Sequence, residues 1–233
     1  SYEVYVVPSR VNEVLAKDIR ERVEAGAGLV VVEGFGQMAS FLDPKALQPA
    51  ADDHPLRGVF PMDRMPERVA LTDIEVGRLG KGRVVRLRFD YALFRMWGLV
   101  PTPNAPQREV YLSRQFSYWE WWYALLAESA RWAARGETKV KVVGAELAGN
   151  EVRVRASGAP TGSRLRVVLR SSREIRWGEP GFVTSMREIP LADGRASLAL
   201  PQGWPAGETF VETSVRNAEG GALTWRASSV TTP

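Results

Sequence analysis

The hydrophobic pattern of the chain changes near residue 138, and this change limits the folds that the chain can adopt. Before that point, segments with a strand-like period alternate with segments that have a helical period. Beyond it the helical period disappears, and short strands separated by turn residues recur at regular spacing. A chain of 233 residues is long enough to build two cores. We therefore predict two domains, an α/β domain over 1–137 and an all-β domain over 138–233.

The first domain begins with a β-α-β pattern and continues with a hairpin. Residues 2–7 are rich in β-branched and aromatic side chains, as in a buried strand, and Ser9 or Asn12 can cap a helix after it. The continuous apolar run 29–32 is typical of a strand in a parallel sheet. Strand-like segments on both sides of Gly80-Lys81-Gly82 predict a hairpin. We expect a partial flavodoxin-like parallel sheet that elements upstream in a longer polypeptide complete.

A long helix with two apolar stripes is predicted at the end of this domain. Ser117 and Glu120 have the spacing of a capping box at its start. One stripe contains Phe116, Trp119, Trp122, Tyr123, Leu126 and Ala130, and the other contains Tyr118, Trp121, Leu125 and Trp132. A helix that packs on a single core needs only one such stripe. We therefore predict that the second stripe is an interface with the following domain, with a missing upstream part or with another subunit.

The second domain reads as an antiparallel sandwich. Its strand-like segments are separated by turn signals such as Gly149-Asn150, Gly158-Ala159-Pro160 and Asp193-Gly194. Six or seven short strands within one domain of this size are typical of an immunoglobulin-like β-sandwich. We predict that architecture for 138–233.

Composition excludes several kinds of chemistry. The chain has no cysteine, which removes thiol nucleophiles, cysteine-ligated metals and disulfides, and it has a single histidine, which removes multi-histidine metal sites. The net charge is +4, and the surplus falls entirely within 138–233 without a dense basic cluster, so we do not expect nucleic-acid binding. No apolar run is long enough to span a membrane. We expect neither a metal nor a cofactor.

Two groups of residues are candidates for a site. Glu33 follows the apolar strand, where open α/β sheets place ligands, and Gly34, Phe35 and Gly36 would form the rim of such a site. The alternative is a structural carboxylate at a turn.

His54 stands beside Asp52 and Asp53, a combination that suits acid–base work or a small metal cluster. The alternative is a turn histidine bonded to the backbone. Gly80-Lys81-Gly82 lacks both the strand-to-helix setting and the Ser or Thr of a phosphate-binding loop, so we do not assign it to phosphate.

The order of these motifs resembles the class I glutamine amidotransferase-like superfamily over residues 2–136. The motifs are Ala25-Gly26-Ala27-Gly28-Leu29-Val30-Val31-Val32, His54-Pro55-Leu56-Arg57-Gly58 and Gly80-Lys81-Gly82-Arg83-Val84-Val85. The chain is most similar to the branches with trehalose-utilisation-type proteins and the trimerisation domain of certain β-galactosidases, which a β-sandwich also follows. In active members a cysteine occupies the turn after the strand equivalent to 29–32, where this chain has Glu33-Gly34-Phe35-Gly36. The resemblance therefore implies a domain without glutaminase activity.

These observations predict a non-catalytic structural, assembly or binding module of a larger carbohydrate-related protein, with an extracytoplasmic location favoured. Its expected partners are another subunit or a missing upstream segment of the same polypeptide. The alternative is a carboxylate-dependent hydrolase, acting on glycosides or esters through Glu33, Asp52, Asp53 and His54.

Overall fold

A computed structural model describes most of the chain, in two compact units. The described residues are 4–7, 11–33, 46–59, 71–89, 119–136, 138–171 and 184–233. Unit one contains the described residues up to Arg57 together with 71–89 and 122–136. Unit two contains the described residues from Thr138 onward, and 58–59 and 119–121 also belong to it.

Unit one is built on a five-stranded mixed sheet. Its elements are β1 (Val4–Val7), α1 (Glu13–Ala25), β2 (Gly28–Glu33), β3 (Leu47–Pro49), a 3-10 turn (Pro55–Gly58), β4 (Leu71–Leu79), β5 (Gly82–Phe89) and α2 (Trp119–Ala133). The strand order is β1-β2-β5-β4-β3. The strands β1, β2 and β5 run parallel to one another. Strand β4 runs antiparallel to both of its neighbours, β5 and β3. The predicted β-α-β unit and hairpin are present, but the sheet is mixed because the hairpin adds its first strand antiparallel to β5.

Helix α1 forms where its sequence supplies a cap and an apolar stripe. The side chain of Asn12 accepts a hydrogen bond from the Leu15 N–H at 2.8 Å, so Asn12 is the N-cap. Buried Ala16, Ile19 and Val23 lie along the stripe that faces the sheet. They share one core with side chains of β1, β2 and β5.

The second helix approaches the opposite face of the sheet. A Cβ built on Gly28 of β2 would lie 2.7 Å from the backbone C and O of Ala133, so the glycine lets the end of α2 come close to the strand. Leu29, the next residue of β2, belongs to the core on the α1 face. Because side chains alternate along a strand, α1 and the end of α2 lie on opposite faces.

The Gly80-Lys81-Gly82 turn is a docking point for both helix ends. A Cβ on Gly82 would lie 2.3 Å from the carbonyl oxygen of Val23 near the end of α1. On the α2 side, Arg83 donates to the carbonyl oxygen of Trp132 at 3.0 Å, and its guanidinium lies 4.9 Å from the Trp132 ring centroid. This motif is therefore explained by packing.

The two described side chains of the stripe assigned to an interface, Leu125 and Trp132, are not exposed. Leu125 is fully buried, and half-buried Trp132 contacts Arg83 and His54. Tyr123, from the stripe expected to face the core, is 41% exposed. The two stripes are similarly apolar, so nothing in the sequence distinguishes the one that faces the sheet. An interface on α2 stays a prediction, and the exposed large apolar side chain among the described residues of this helix is Tyr123.

Unit two is a sandwich of two antiparallel sheets. Its strands are β6 (Lys141–Ala148), β7 (Glu151–Ser157), β8 (Arg164–Ser171), β9 (Thr184–Pro190), β10 (Arg195–Ala199), β11 (Gly207–Arg216) and β12 (Ala222–Thr232). One sheet has the order β10-β7-β6 and the other β12-β11-β8-β9. Apolar side chains from both sheets, including Val152, Val154, Leu165 and Val211, form one core. The all-β prediction for this part of the chain is confirmed.

The outer face of the larger sheet is buried at its centre. Phe210 is fully buried, and Arg170 and Glu212 are 7% and 5% exposed. Burial lowers the pKa of the Arg170 guanidinium, and the nearby Glu212 carboxylate partly opposes that effect. An antiparallel sheet commonly leaves one face to water, so this sheet is unusual in burying a charged pair there.

No helix among the described residues is long and apolar enough to cross a membrane.

Candidate functional site

The strongest candidate site in unit one is the edge where β2 and β5 end, because parallel strands bring their carboxyl ends together and ligands commonly bind there. The register places Glu33 of β2 beside Arg88 of β5, and Arg88 beside Asp73 of β4. One position further into the sheet, Arg86 of β5 stands beside Glu75 of β4. These positions share the α1 face of the sheet. We call these five residues the carboxyl-edge cluster.

Glu75 is the centre of this cluster. Its carboxylate forms ion pairs with Arg86 and with Arg88, where Arg88 Nη1 lies 3.1 Å from Glu75 Oε1. Glu75 and Arg86 are only 5% and 8% exposed, whereas the side chain of Arg88 is 51% exposed. Taking either charge of the buried pair away from water is costly unless the other is in place. The Glu75–Arg86 ion pair therefore holds β4 and β5 together, and removing either charge would lower the stability of the fold.

A second ion pair fastens the 3-10 turn to β4. Arg57 Nη2 lies 2.8 Å from Asp73 Oδ1, and Arg57 Nε donates to the carbonyl oxygen of Ala50 at 2.9 Å. The same Asp73 oxygen accepts from the N–H of Ile74 at 2.8 Å. Charge-assisted hydrogen bonds of this length are the stronger ones in proteins. Asp73 is thus committed to the backbone and to Arg57.

His54 lies at the start of the same turn and is held by its neighbours. Its Nδ1 accepts a hydrogen bond from the N–H of Leu56 at 3.3 Å. Its ring meets the ring of Trp132 edge to face, with centroids 5.1 Å apart. Asp52 and Asp53 are exposed in the turn that precedes it. These contacts favour the turn-histidine interpretation over an acid–base cluster, whose formation stays a prediction.

Other predicted site residues fall partly outside what the structure describes. Glu33 is placed by its backbone register, without its side chain, and Trp121 is placed only within α2. Gly34, Phe35, Gly36 and Tyr118 lie outside the described residues.

The described side chains bring together no group of three His, Asp or Glu residues arranged as metal ligands.

Glu75, Arg86 and Arg88 were not predicted from the sequence. A signal for them exists in β5, where arginines at 86 and 88 have the same phase as buried Val84 and alternate with buried Leu87. Arg86 lies where the strand is buried on both faces, so its charge has no solvent side and must find an anion on a neighbouring strand. Glu75 is that anion, because the register places it beside Arg86 and it is itself buried.

Comparisons with known proteins identify no family. No family model matches the chain, and no curated protein matches it. A family 76 glycoside hydrolase from a bovine Bacteroides thetaiotaomicron strain is 14% identical over 39% of this chain and 20% of its own, with a TM-score of 0.26. The chain thus spans about a fifth of the length of that enzyme.

Two further solved structures are equally distant. The fn3 domain of the human collagen alpha-1(XX) chain is 21% identical over 40% of this chain and 76% of its own, with a TM-score of 0.24. T. fusca AA10A is 12% identical over 62% of this chain and 95% of its own, with a TM-score of 0.29. At these TM-scores no property of these proteins is carried over to this chain.

Proposed function

We propose that the chain is a non-catalytic module that contributes assembly or binding contacts to a larger, carbohydrate-related and extracytoplasmic protein. The observation that carries this proposal is the state of the carboxyl-edge cluster, where arginines already bind the carboxylates of Glu75 and Asp73. A general acid or base must exchange a proton with the substrate, and a nucleophile must reach it. Glu75 and Asp73 are instead held by guanidinium groups, so we assign them to stabilising the sheet.

The other candidate groups support the same proposal. The chain has no cysteine, so the thiol chemistry of active amidotransferases is absent. The His54 ring is packed on Trp132, and its Nδ1 accepts a backbone hydrogen bond. A histidine held in this way orders a turn.

The strand arrangement of unit two supports an immunoglobulin-like assignment. The first, second and fifth strands of the unit form one sheet, and the third, fourth, sixth and seventh form the other. That distribution of strands is found in immunoglobulin-like and fibronectin type III sandwiches. Domains of this architecture serve many functions, so the assignment supports a module but does not choose its ligand.

The topology of unit one is compatible with an amidotransferase-like layer. It combines a parallel β-α-β unit with an antiparallel hairpin and has helices on both faces. The carbohydrate context of the proposal comes from the resemblance of the motif order to the β-galactosidase trimerisation branch. Such a domain would contribute contacts between subunits.

The surface proposed for assembly is the exposed side of α2. Tyr123 is 41% exposed on a helix whose apolar positions exceed what one core-facing stripe requires. Aromatic residues are enriched in the buried centres of protein interfaces. We infer that a second subunit covers this side of the helix.

Light scattering across a concentration series tests this proposal. For the wild type we expect a mass above the 25.8 kDa of one chain, increasing with concentration. For Tyr123→Ser we expect the mass to return to that of one chain. The matched control is Val14→Ala, which removes an apolar side chain that is 83% exposed on α1 and should leave the mass unchanged. A mass of one chain at every concentration would contradict the assembly role.

A further inference from the structure

Two arginines face each other on the exposed side of the three-stranded sheet in unit two. Arg155 of β7 and Arg195 of β10 are directly opposite in the antiparallel register. Both are exposed, and their neighbours Val154 and Ala196 point to the core, so the arginines lie on the outer face. Like charges opposite each other on neighbouring strands destabilise a sheet. The fold alone gives no reason for this pair.

Neither arginine has a carboxylate partner among the described residues. Arg153, two positions earlier on β7, has Glu151 at 3.7 Å and Glu146 opposite it on β6. No such anion is paired with Arg155 or Arg195 in the part of the chain that the structure describes. The positive charge of this row is therefore available to a ligand.

The strand beside the pair leaves room for that ligand. Gly144 of β6 is opposite Arg155, so Gly144, Arg155 and Arg195 stand in one row across the three strands. A Cβ built on Gly144 would meet no atom within 4 Å, so the floor of the row is open. The bulge residue Val143 is 56% exposed beside it. We call this row the arginine platform.

Guanidinium groups determine which ligand suits the platform. Arginine presents a planar fork of donors that binds carboxylate and sulfate oxygens in pairs. Two such forks on adjacent strands are matched to a closely spaced pair of oxyanions. A shallow exposed site of this size binds weakly, and a polymer that repeats the anionic group compensates by engaging several copies.

We propose that the arginine platform binds the carboxylate or sulfate groups of an acidic polysaccharide. The choice of a glycan rests on the proposed carbohydrate-related function, whereas the oxyanion site rests on the geometry of the platform. Nucleic acid fits less well because single strands are held by aromatic stacking, and the row contains no aromatic ring. Duplexes are held by about 6–10 phosphate contacts, more than this row offers.

Binding of defined polymers to the full chain tests the platform. The probes are dextran sulfate, polygalacturonate, uncharged dextran and a DNA oligonucleotide, each titrated at low and moderate salt. We expect binding to one or both acidic polysaccharides, with sulfated and uronate polymers identifying the preferred group, and no binding to dextran. Affinity should fall by about tenfold or more in the Arg155→Gln/Arg195→Gln double variant.

The control variant removes the same charge elsewhere. Arg78→Gln/Arg187→Gln replaces two exposed arginines outside the platform and should retain wild-type affinity. An equal loss in this control would overturn the site, because net charge alone would then explain binding. Binding to DNA but to neither polysaccharide would overturn the glycan inference, and binding to no anion would overturn the platform. None of these three results alters the light-scattering test of assembly.

A single substitution separates folding from binding. Arg155→Glu places a carboxylate opposite Arg195, so it replaces a repulsion with a cross-strand ion pair. We expect an unchanged or raised melting temperature together with loss of polysaccharide binding. Retained binding in this variant would contradict the proposal.

Discussion

At the scale of single residues, the two kinds of ion pair in this chain have very different consequences. Glu75 and Arg86 are almost completely buried, whereas the Arg164–Glu188 pair, at 2.8 Å, has side chains that are 47% and 40% exposed. Breaking a buried pair leaves a charge without water or partner, while an exposed pair is replaced by solvent. Burial therefore decides which pair matters for folding.

We predict that Glu75→Gln lowers the free energy of unfolding by about 3 kcal/mol. The amide is similar in shape, so the loss comes from the charge that it no longer offers to Arg86. Urea unfolding followed by tryptophan fluorescence measures the effect. Glu188→Gln is the control and should cost less than about 1 kcal/mol. Equal urea midpoints for both variants would show that the buried pair stabilises the fold no more than the exposed pair does.

At the scale of elements, close approach between helices and strands depends on glycines. Gly28 faces the backbone of Ala133, and Gly82 faces the carbonyl oxygens of Val23 and Ala27. Backbone atoms cannot move aside as the end of a flexible side chain can. Gly28 and Gly82 therefore set the distance between the sheet and the two helices.

We predict that Gly28→Ala destabilises the chain by about 1–3 kcal/mol, because its Cβ would overlap the end of α2. Gly144→Ala is the matched control, since it also lies in a strand but its Cβ would meet open space. That change should stay within about 0.5 kcal/mol. Thermal unfolding followed by circular dichroism compares the two. A neutral Gly28→Ala would mean that α2 is not packed against β2.

Helix α1 and the hairpin were predictable because their ends depend on local signals. Asn12 and Gly26 mark the ends of α1, and the turn at Gly80 is where the hairpin reverses. The faces of α2 were not predictable, because Leu125 and Tyr123 are similarly apolar and only the packed sheet distinguishes them. The Glu75–Arg86 pair depends on the register between strands, which no single segment encodes.

At the scale of the whole molecule, arginines occur in two different settings. In unit one, Arg57, Arg86 and Arg88 are bound to carboxylates and hold strands and turns together. In the described part of unit two, Arg155 and Arg195 face each other on an open surface without a paired carboxylate. This contrast separates charges that stabilise the fold from charges that are available to a ligand. It favours a module that acts by association.

The most direct test of this account is hydrolysis by the purified chain. The rate of nitrophenol release is measured for wild type and Glu33→Gln on a panel of nitrophenyl glycosides and nitrophenyl esters. We predict that both proteins match the rate in buffer alone, because in the proposed role the carboxyl-edge cluster stabilises the sheet. A wild-type rate well above buffer that Glu33→Gln abolishes would contradict the account and make the chain a carboxylate-dependent hydrolase.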